Sequence, residues 1–226
     1  MREVIMVIAA HPDDEVLGCG GVIAKHILSG DKVHVLFMAD GVTSRSSNSI
    51  ESDLKNRKES ASSALDILGV LTAPVFLDLP DNKMDTIPFL DIVKLLEGQI
   101  FRIKPSTIYT HNSVDLNIDH RITHKAVMTA CRPLPNSTLK NIFSFECLSS
   151  TGWFGSATSK QFVPNMFVDI SDFMDLKIKA LEQYSTEMCK YPHSRSVESV
   201  LNLAKYRGSS VGIYAVESFI VERTIR

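Results

Sequence analysis

One histidine and three carboxylates occupy four of five consecutive positions, His11-Pro12-Asp13-Asp14-Glu15. Imidazole and carboxylate are ordinary ligands for a zinc-type cation. Two of these groups can bind a metal while a third stays free as general base toward the water the metal activates. Pro12 stiffens the turn that aims them. The competing account is a polar loop in which Asp13 or Asp14 caps a helix; it explains one acid and leaves His11 idle. A further ligand must come from another loop. Asp119-His120 is the best-placed pair, His124 lies one turn further along the same helix face and competes with it, and His111 stands at a strand end directed toward the same region. His26 and His34 fall within a helix and a strand and read as structural, while His193, after Tyr191-Pro192, is left open.

Strand ends must bring these residues together. Val4 to Ala10 is an unbroken apolar run, as expected of a strand buried on both faces. Val16, Leu17, Ile23 and Ile27 then repeat at helical spacing until Ser29-Gly30-Asp31 stops them. Val33 to Ala39 reads as a second buried strand, residues 40–52 as a polar, Ser-rich loop, Glu51 to Leu68 as a helix and Pro74 to Asp78 as a third strand. A polar loop over 81–85 precedes a helix from Pro88 to Lys104, a strand from Thr107 to Thr110 and a loop from His111 to Asn117. Asp119 to Arg132 reads as a helix, Asn141 to Cys147 and Asn165 to Ile170 as strands, Asp172 to Tyr184 and Ser196 to Arg207 as helices, and Tyr214 to Arg223 as a terminal strand. Strands alternating with helices predict an α/β fold, a mostly parallel, doubly wound sheet flanked by helices, over one domain spanning 1–226. Such sheets bind ligands beyond the carboxyl ends of their strands. The loops carrying His11–Asp14, Asp40–Ser46 and His111–His120 should therefore share one edge.

Gly18-Cys19-Gly20-Gly21 lacks the third glycine of a dinucleotide fingerprint, having Ile23 at that place, which argues against a nucleotide-dependent oxidoreductase. Close packing of helix on sheet is the better reading of these glycines. Lys plus Arg is 24 against 26 Asp plus Glu, without a basic block, so a nucleic-acid partner is not expected. No apolar stretch approaches the roughly 20 residues of a membrane helix, and the N-terminal run is too short for a secretory leader. The reading is a soluble, cytoplasmic protein, with Cys19, Cys131, Cys147 and Cys189 as reduced thiols.

The segment Ala10-His-Pro-Asp-Asp-Glu-Val-Leu-Gly-Cys-Gly-Gly21 resembles the signature of the PIG-L/LmbE-like deacetylases, and Asn117-Ile118-Asp119-His120 resembles their second motif, His-Pro-Asp-His. Arg57, Tyr206-Arg207-Gly208 and Glu217-Ser218-Phe219 extend the resemblance along most of the chain. It implies a Rossmann-like fold and a zinc-dependent hydrolase that removes the N-acetyl group from an amino-sugar substrate, with one zinc per chain. By resemblance, His11, Asp14 and His120 bind the metal, Asp13 is the general base, Arg57 helps hold substrate, and Asp119 orients a ligand beside the substrate site. Asn117 replaces the family histidine that lies near the developing oxyanion; its amide can donate a hydrogen bond but carries no charge. His111 or His193 is then a candidate for the missing imidazole. Arg45, Arg57 and Arg121 are candidates to meet an anionic group on the substrate, such as that of a nucleotide-sugar, and Trp153 with Phe154 to stack on a sugar face. Polar loops over 40–50 and 80–86 and the segment Ser149–Gln161 should surround the substrate. Two alternatives stand beside this reading: an amidase acting on a non-sugar N-acyl compound, and a metal- or sugar-binding homologue without turnover, which the Asn117 departure keeps open. Oligomeric state is not fixed by the sequence, although the resemblance implies frequent self-association.

Overall fold

The computed structural model describes residues 2–45, 49–135, 137–154 and 161–226. Its strands are β1 (Val4–Ala9), β2 (Lys32–Ala39), β3 (Val75–Leu79), β4 (Thr107–His111), β5 (Asn141–Phe145), β6 (Met166–Asp169) and β7 (Val216–Arg223). Its helices are α1 (Asp14–Leu28), α2 (Ile50–Ile67), α3 (Phe89–Ile103), α4 (Ile118–Ala130), α5 (Met174–Glu182) and α6 (Val197–Ser209). The strands form one seven-stranded sheet in the order β3-β2-β1-β4-β5-β7-β6. The first five are parallel, and β7 runs antiparallel to both β5 and β6. The expected elements are present, with the terminal strand inserted between β5 and β6. The expected helix from Asp172 is divided into a 3-10 turn, Ser171–Phe173, and α5.

Alternation along the strands explains the layers. Val7 and Ala9 of β1, Val35 and Phe37 of β2, and Phe145 of β5 pack with α1, α2, α5 and α6 on one face. Met6 and Ile8, Leu36 and Met38, and Ile108 pack with α3 and α4 on the other. Buried on both faces, these strands read in sequence as continuous apolar runs. The chain reverses its direction of winding at β1 and β4, so α1 and α4 leave for opposite faces and a crevice opens between them.

Gly18 and Gly21 confirm the close-packing reading: a Cβ at Gly18 would lie 2.3 Å from the Phe145 ring, and one at Gly21 would lie 2.8 Å from Ile170. Helix α1 kinks at Cys19 (φ -149°). There Glu217 of β7 accepts from the Gly21 and Val22 N–H groups at 2.9 and 2.7 Å, and Lys177 of α5 donates to Glu217 at 2.5 Å. Both side chains are 4 % exposed. Removing one partner of such a pair strands a buried charge. Lys177→Met should cost about 3 kcal/mol of stability, the low end of the usual range because Glu217 keeps two backbone donors. Urea unfolding measures it, and a loss near zero would mean that water solvates the carboxylate. Arg207 forms a two-pronged pair with Glu146, to which Ser218 also donates, so these family-like residues tie α6 to the sheet.

All four cysteines are unpaired, with Cys189 exposed. No helix among the described residues is long and apolar enough to cross a membrane. Of the loops expected around the substrate, residues 46–48 and 155–160 lie outside the described residues.

Candidate active site

The crevice gathers the polar turns after β1 and β4. Asp13 stands at the N-cap position of α1, yet its side chain makes no capping bond and its φ is 124°, a conformation that is strained for any residue with a Cβ. Glu15 holds it there. Its Oε2 accepts from the Asp13 N–H at 2.9 Å, and its Oε1 accepts from the Tyr184 hydroxyl at 2.5 Å. The capping account of this segment therefore fails: the backbone is bent so that the Asp13 carboxylate leaves the helix axis. One oxygen, Oδ2, accepts from Arg195 at 2.9 Å, while Oδ1 is buried with no hydrogen-bond partner. Burial lifts Asp13 to about 6, against the pull of Arg195 and Arg57.

Asp14 Oδ2 is the centre of a second group. His11 Nδ1 and His120 Nε2 each lie 3.2 Å from it, and all three residues are buried. The His120 Nε2 contact is an ion pair without hydrogen-bond geometry, so this buried nitrogen makes no hydrogen bond. The opposite nitrogens are anchored by other carboxylates: His11 Nε2 by Asp119 at 3.1 Å and Asp81 at 3.2 Å, His120 Nδ1 by Asp115 at 3.2 Å. An outer carboxylate on a ring N–H fixes the tautomer and turns the other nitrogen's lone pair toward a metal. Burial opposes charge on these rings, but the carboxylates outweigh it, raising His120 to about 9 and His11 well above its usual range. In this arrangement a proton and a cation compete for the same lone pairs.

Two further groups of His, Cys and Asp lie within ligand reach of one another, His111–His120–Cys147 and His11–Asp81–Asp119. The first is ill suited to a metal. His111 Nε2 accepts from the Ala10 N–H at 2.9 Å, so its proton sits on Nδ1, the nitrogen 3.9 Å from the Cys147 sulfur. In the second, both Asp119 oxygens already accept backbone hydrogen bonds, from the Asn82 and Met84 N–H groups. His11, Asp14 and His120 thus offer the fitting set: two imidazoles and one carboxylate, with an orphaned nitrogen among them.

Beside this group lies a cleft of about 160 Å³ lined by His11, Asp13, Ser44, Asp81, Asn117 and Arg195, among others. Asn117 caps α4, its Oδ1 accepting from the Asp119 N–H at 2.8 Å, so the amide nitrogen is the atom left for a ligand.

The other expected residues stand around this centre, some lining the cleft and some outside it. His111 does not stand in for a catalytic imidazole: it is fully buried, stacked on His120 at 3.9 Å and spent on Ala10, and burial with the neighbouring His120 lowers it to about 4. His193 is exposed and turned edge-on to Trp153. His124 pairs with Glu222 on β7, which ends its competition for the metal group. Asp119 meets His11, as an orienting carboxylate does, and its oxygens also accept from the Asn82 and Met84 N–H groups rather than facing the cleft lining. Arg57 lines the cleft but is buried, and it donates to the Pro12 and Gly41 carbonyls, tying two loops together. Arg45 forms a two-pronged pair with Glu187 at the cleft mouth. Arg121 donates to the Asp115 and Leu116 carbonyls.

Asp81, Asp115, Glu187 and Arg195 escaped the sequence reading. Asp81 and Asp115 lay in polar loops already marked as functional, which was the available signal. Glu187 and Arg195 follow α5, far from any strand end, and nothing local distinguishes them.

The chain matches the family described as PIG-L: GlcNAc-PI de-N-acetylase over residues 6–131. It is 28% identical over 191 residues to the uncharacterized deacetylase YaiS of Escherichia coli, covering 82% of this chain and 92% of that one. It is 28% identical over 197 residues to the diacetylchitobiose deacetylase of Thermococcus kodakarensis, covering 81% and 69%. The solved structure of GalB, a 4-carboxy-2-hydroxymuconate hydratase from Pseudomonas putida, superposes with a TM-score of 0.79 over 100% of this chain and 98% of that one, at 21% identity.

Proposed function

The chain belongs to the PIG-L family and is a hydrolytic N-deacetylase, and we propose that it removes an acetyl group from an N-acetylated amino sugar, using one zinc ion held by His11, Asp14 and His120. The observation that carries this reading is that two buried atoms of the site, Asp13 Oδ1 and His120 Nε2, make no hydrogen bond, the second lying 3.2 Å from Asp14 Oδ2. Buried polar atoms are rarely left unpaired, and these two suit a reacting water and a cation.

A bound zinc ion supplies Lewis acidity to the amide carbonyl and to the attacking water. Asp13 Oδ1 takes a proton from that water and returns it to the leaving amine nitrogen, as general base and then general acid. Its elevated ionisation range suits both tasks. Asn117 donates through its side-chain amide toward the acyl oxygen. A cleft of about 160 Å³ holds about five waters' worth of space, enough for an acetamido group while the sugar ring stays at the rim. Trp153, 55 % exposed and bonded through its backbone N–H to the Ser149 carbonyl, is the aromatic side chain assigned to that ring. The diacetylchitobiose deacetylase of Thermococcus kodakarensis supports an amino sugar over other N-acyl compounds.

Release of acetate and free amine from a panel of N-acetylated sugars and N-acetylated amino acids tests the substrate class. Turnover confined to the sugars is expected; turnover confined to the amino acids would replace the sugar with another N-acyl compound.

The anchoring carboxylates make a separate prediction. Asp115→Ala should weaken metal binding about 10–100-fold, because His120 loses the acceptor that orients it. Competition with a chromophoric chelator measures this, and unchanged affinity would mean that Ser150 Oγ, 3.1 Å from His120 Nδ1, orients the ring without Asp115.

A further inference from the structure

Arg195 stands in the segment between α5 and α6, 182 positions from the carboxylate it contacts. Its Nη1 donates to Asp13 Oδ2 at 2.9 Å and lies 3.5 Å from Glu187, and its Nε donates to Ser149 Oγ at 3.2 Å. These contacts fix the guanidinium in the wall of the cleft, beside His11 and Asn117. Its Nη2 makes no hydrogen bond among the described residues, and the side chain is 22 % exposed. The other two arginines of the cleft are differently committed. Arg45 gives both terminal nitrogens to Glu187, and Arg57 is buried and gives its own to two carbonyls and to Glu187. Arg195 is therefore the arginine of the cleft with a terminal nitrogen uncommitted among the described residues, and it already touches the proposed base.

Hydrolysis of an amide creates negative charge twice, on the acyl oxygen during reaction and on the carboxylate product. Neutral Asn117 cannot balance it. We propose that Arg195 is a catalytic residue of this site, donating from its guanidinium to the acyl oxygen as charge develops there and then to the released acetate, while its bond to Asp13 keeps that carboxylate aimed. The inference rests on the N-deacetylase reading of the same cleft. Water oxygen forms the new bond to carbon, and the carbon–nitrogen bond breaks with its electron pair on nitrogen. One water proton passes through Asp13 to that nitrogen, the other leaves the new carboxyl group as it ionises to acetate, and Arg195 keeps its own protons throughout. A planar, permanently charged fork is suited to both the oxyanion and the carboxylate.

The test compares Arg195→Ala and Arg195→Lys with the parent, reading kcat and KM on the best substrate and the Kd of acetate by calorimetry. Arg195→Ala should lower kcat about 10²–10³-fold with little change in KM. It should also weaken acetate at least about tenfold, the loss of one charge-assisted bond. Arg195→Lys should recover part of both, with metal content unchanged in either variant. A strut that only braces Ser149 and Glu187 would shift the unfolding midpoint and leave acetate binding alone. If Arg195→Ala fails to fold, Arg195→Gln, which keeps size and polarity, takes its place. A folded variant with parental kcat and acetate affinity overturns the assignment, as does a parent protein that binds no acetate. Arg195-dependent acetate binding without turnover of any N-acetyl sugar supports Arg195 and removes the substrate class instead.

Discussion

Asp13→Asn should keep its metal and lose about 10³ in turnover, within the usual range for removing a general base. The substitution is as mild as the position permits. Asn is among the residues that best tolerate positive φ, so the bend at φ 124° persists. Its side-chain oxygen still accepts from Arg195. What disappears is the ability of Oδ1, now without a protein partner, to take a proton and hand it on. Metal analysis and kcat on the same preparation give the answer. A variant with more than about a tenth of parental turnover would move the base elsewhere, and one that loses metal would make Asp13 a ligand.

His120→Ala should abolish metal binding and drive turnover to background, a larger loss than that of Asp13→Asn. The orphaned Nε2 would be gone, leaving His11 and Asp14 as a two-ligand remnant. Asp115 would also lose the ring it anchors, although Ser150 and Thr151 still donate to it at 3.0 and 2.7 Å. Because His120 also stacks on His111, the alanine leaves a cavity, so Asp14→Asn provides a variant of parental size. Both should elute without metal and with parental unfolding cooperativity. Retained stoichiometric metal in both would transfer the site to other residues.

The elements were legible because each carried its own local signal. The both-faces-buried strands β1 and β2 stand out as apolar runs, and Ser29-Gly30-Asp31 marks where α1 must stop. The central group was legible for a related reason: strand order in a doubly wound sheet forces the turns after β1 and β4 onto one edge, which joins His11 to His120 without any contact information. What sequence could not supply were the assignments that depend on side-chain direction. His111 was expected in the cleft but lies behind it, since it is the last residue of β4 and its ring turns inward toward the Ala10 N–H. Asp119 was expected near substrate, but the Asn82 and Met84 N–H groups close over it. Arg195 was missed because its partner is distant in sequence and the segment bearing it has neither periodicity nor a motif.

Fold alone does not carry the activity. A hydratase shares this architecture at a TM-score of 0.79, so chemistry has to be argued from the site. Here that means the strained Asp13, the three groups gathered at Asp14 and the arginine beside them.

The most direct measurement of the central claim is deacetylation of an N-acetylated amino sugar by the protein before chelation, after chelation and after return of the metal, with elemental analysis at each stage. The account predicts one divalent ion per chain at the start, no turnover once it is removed and full recovery on adding one equivalent of zinc. Undiminished turnover in metal-free protein would contradict it.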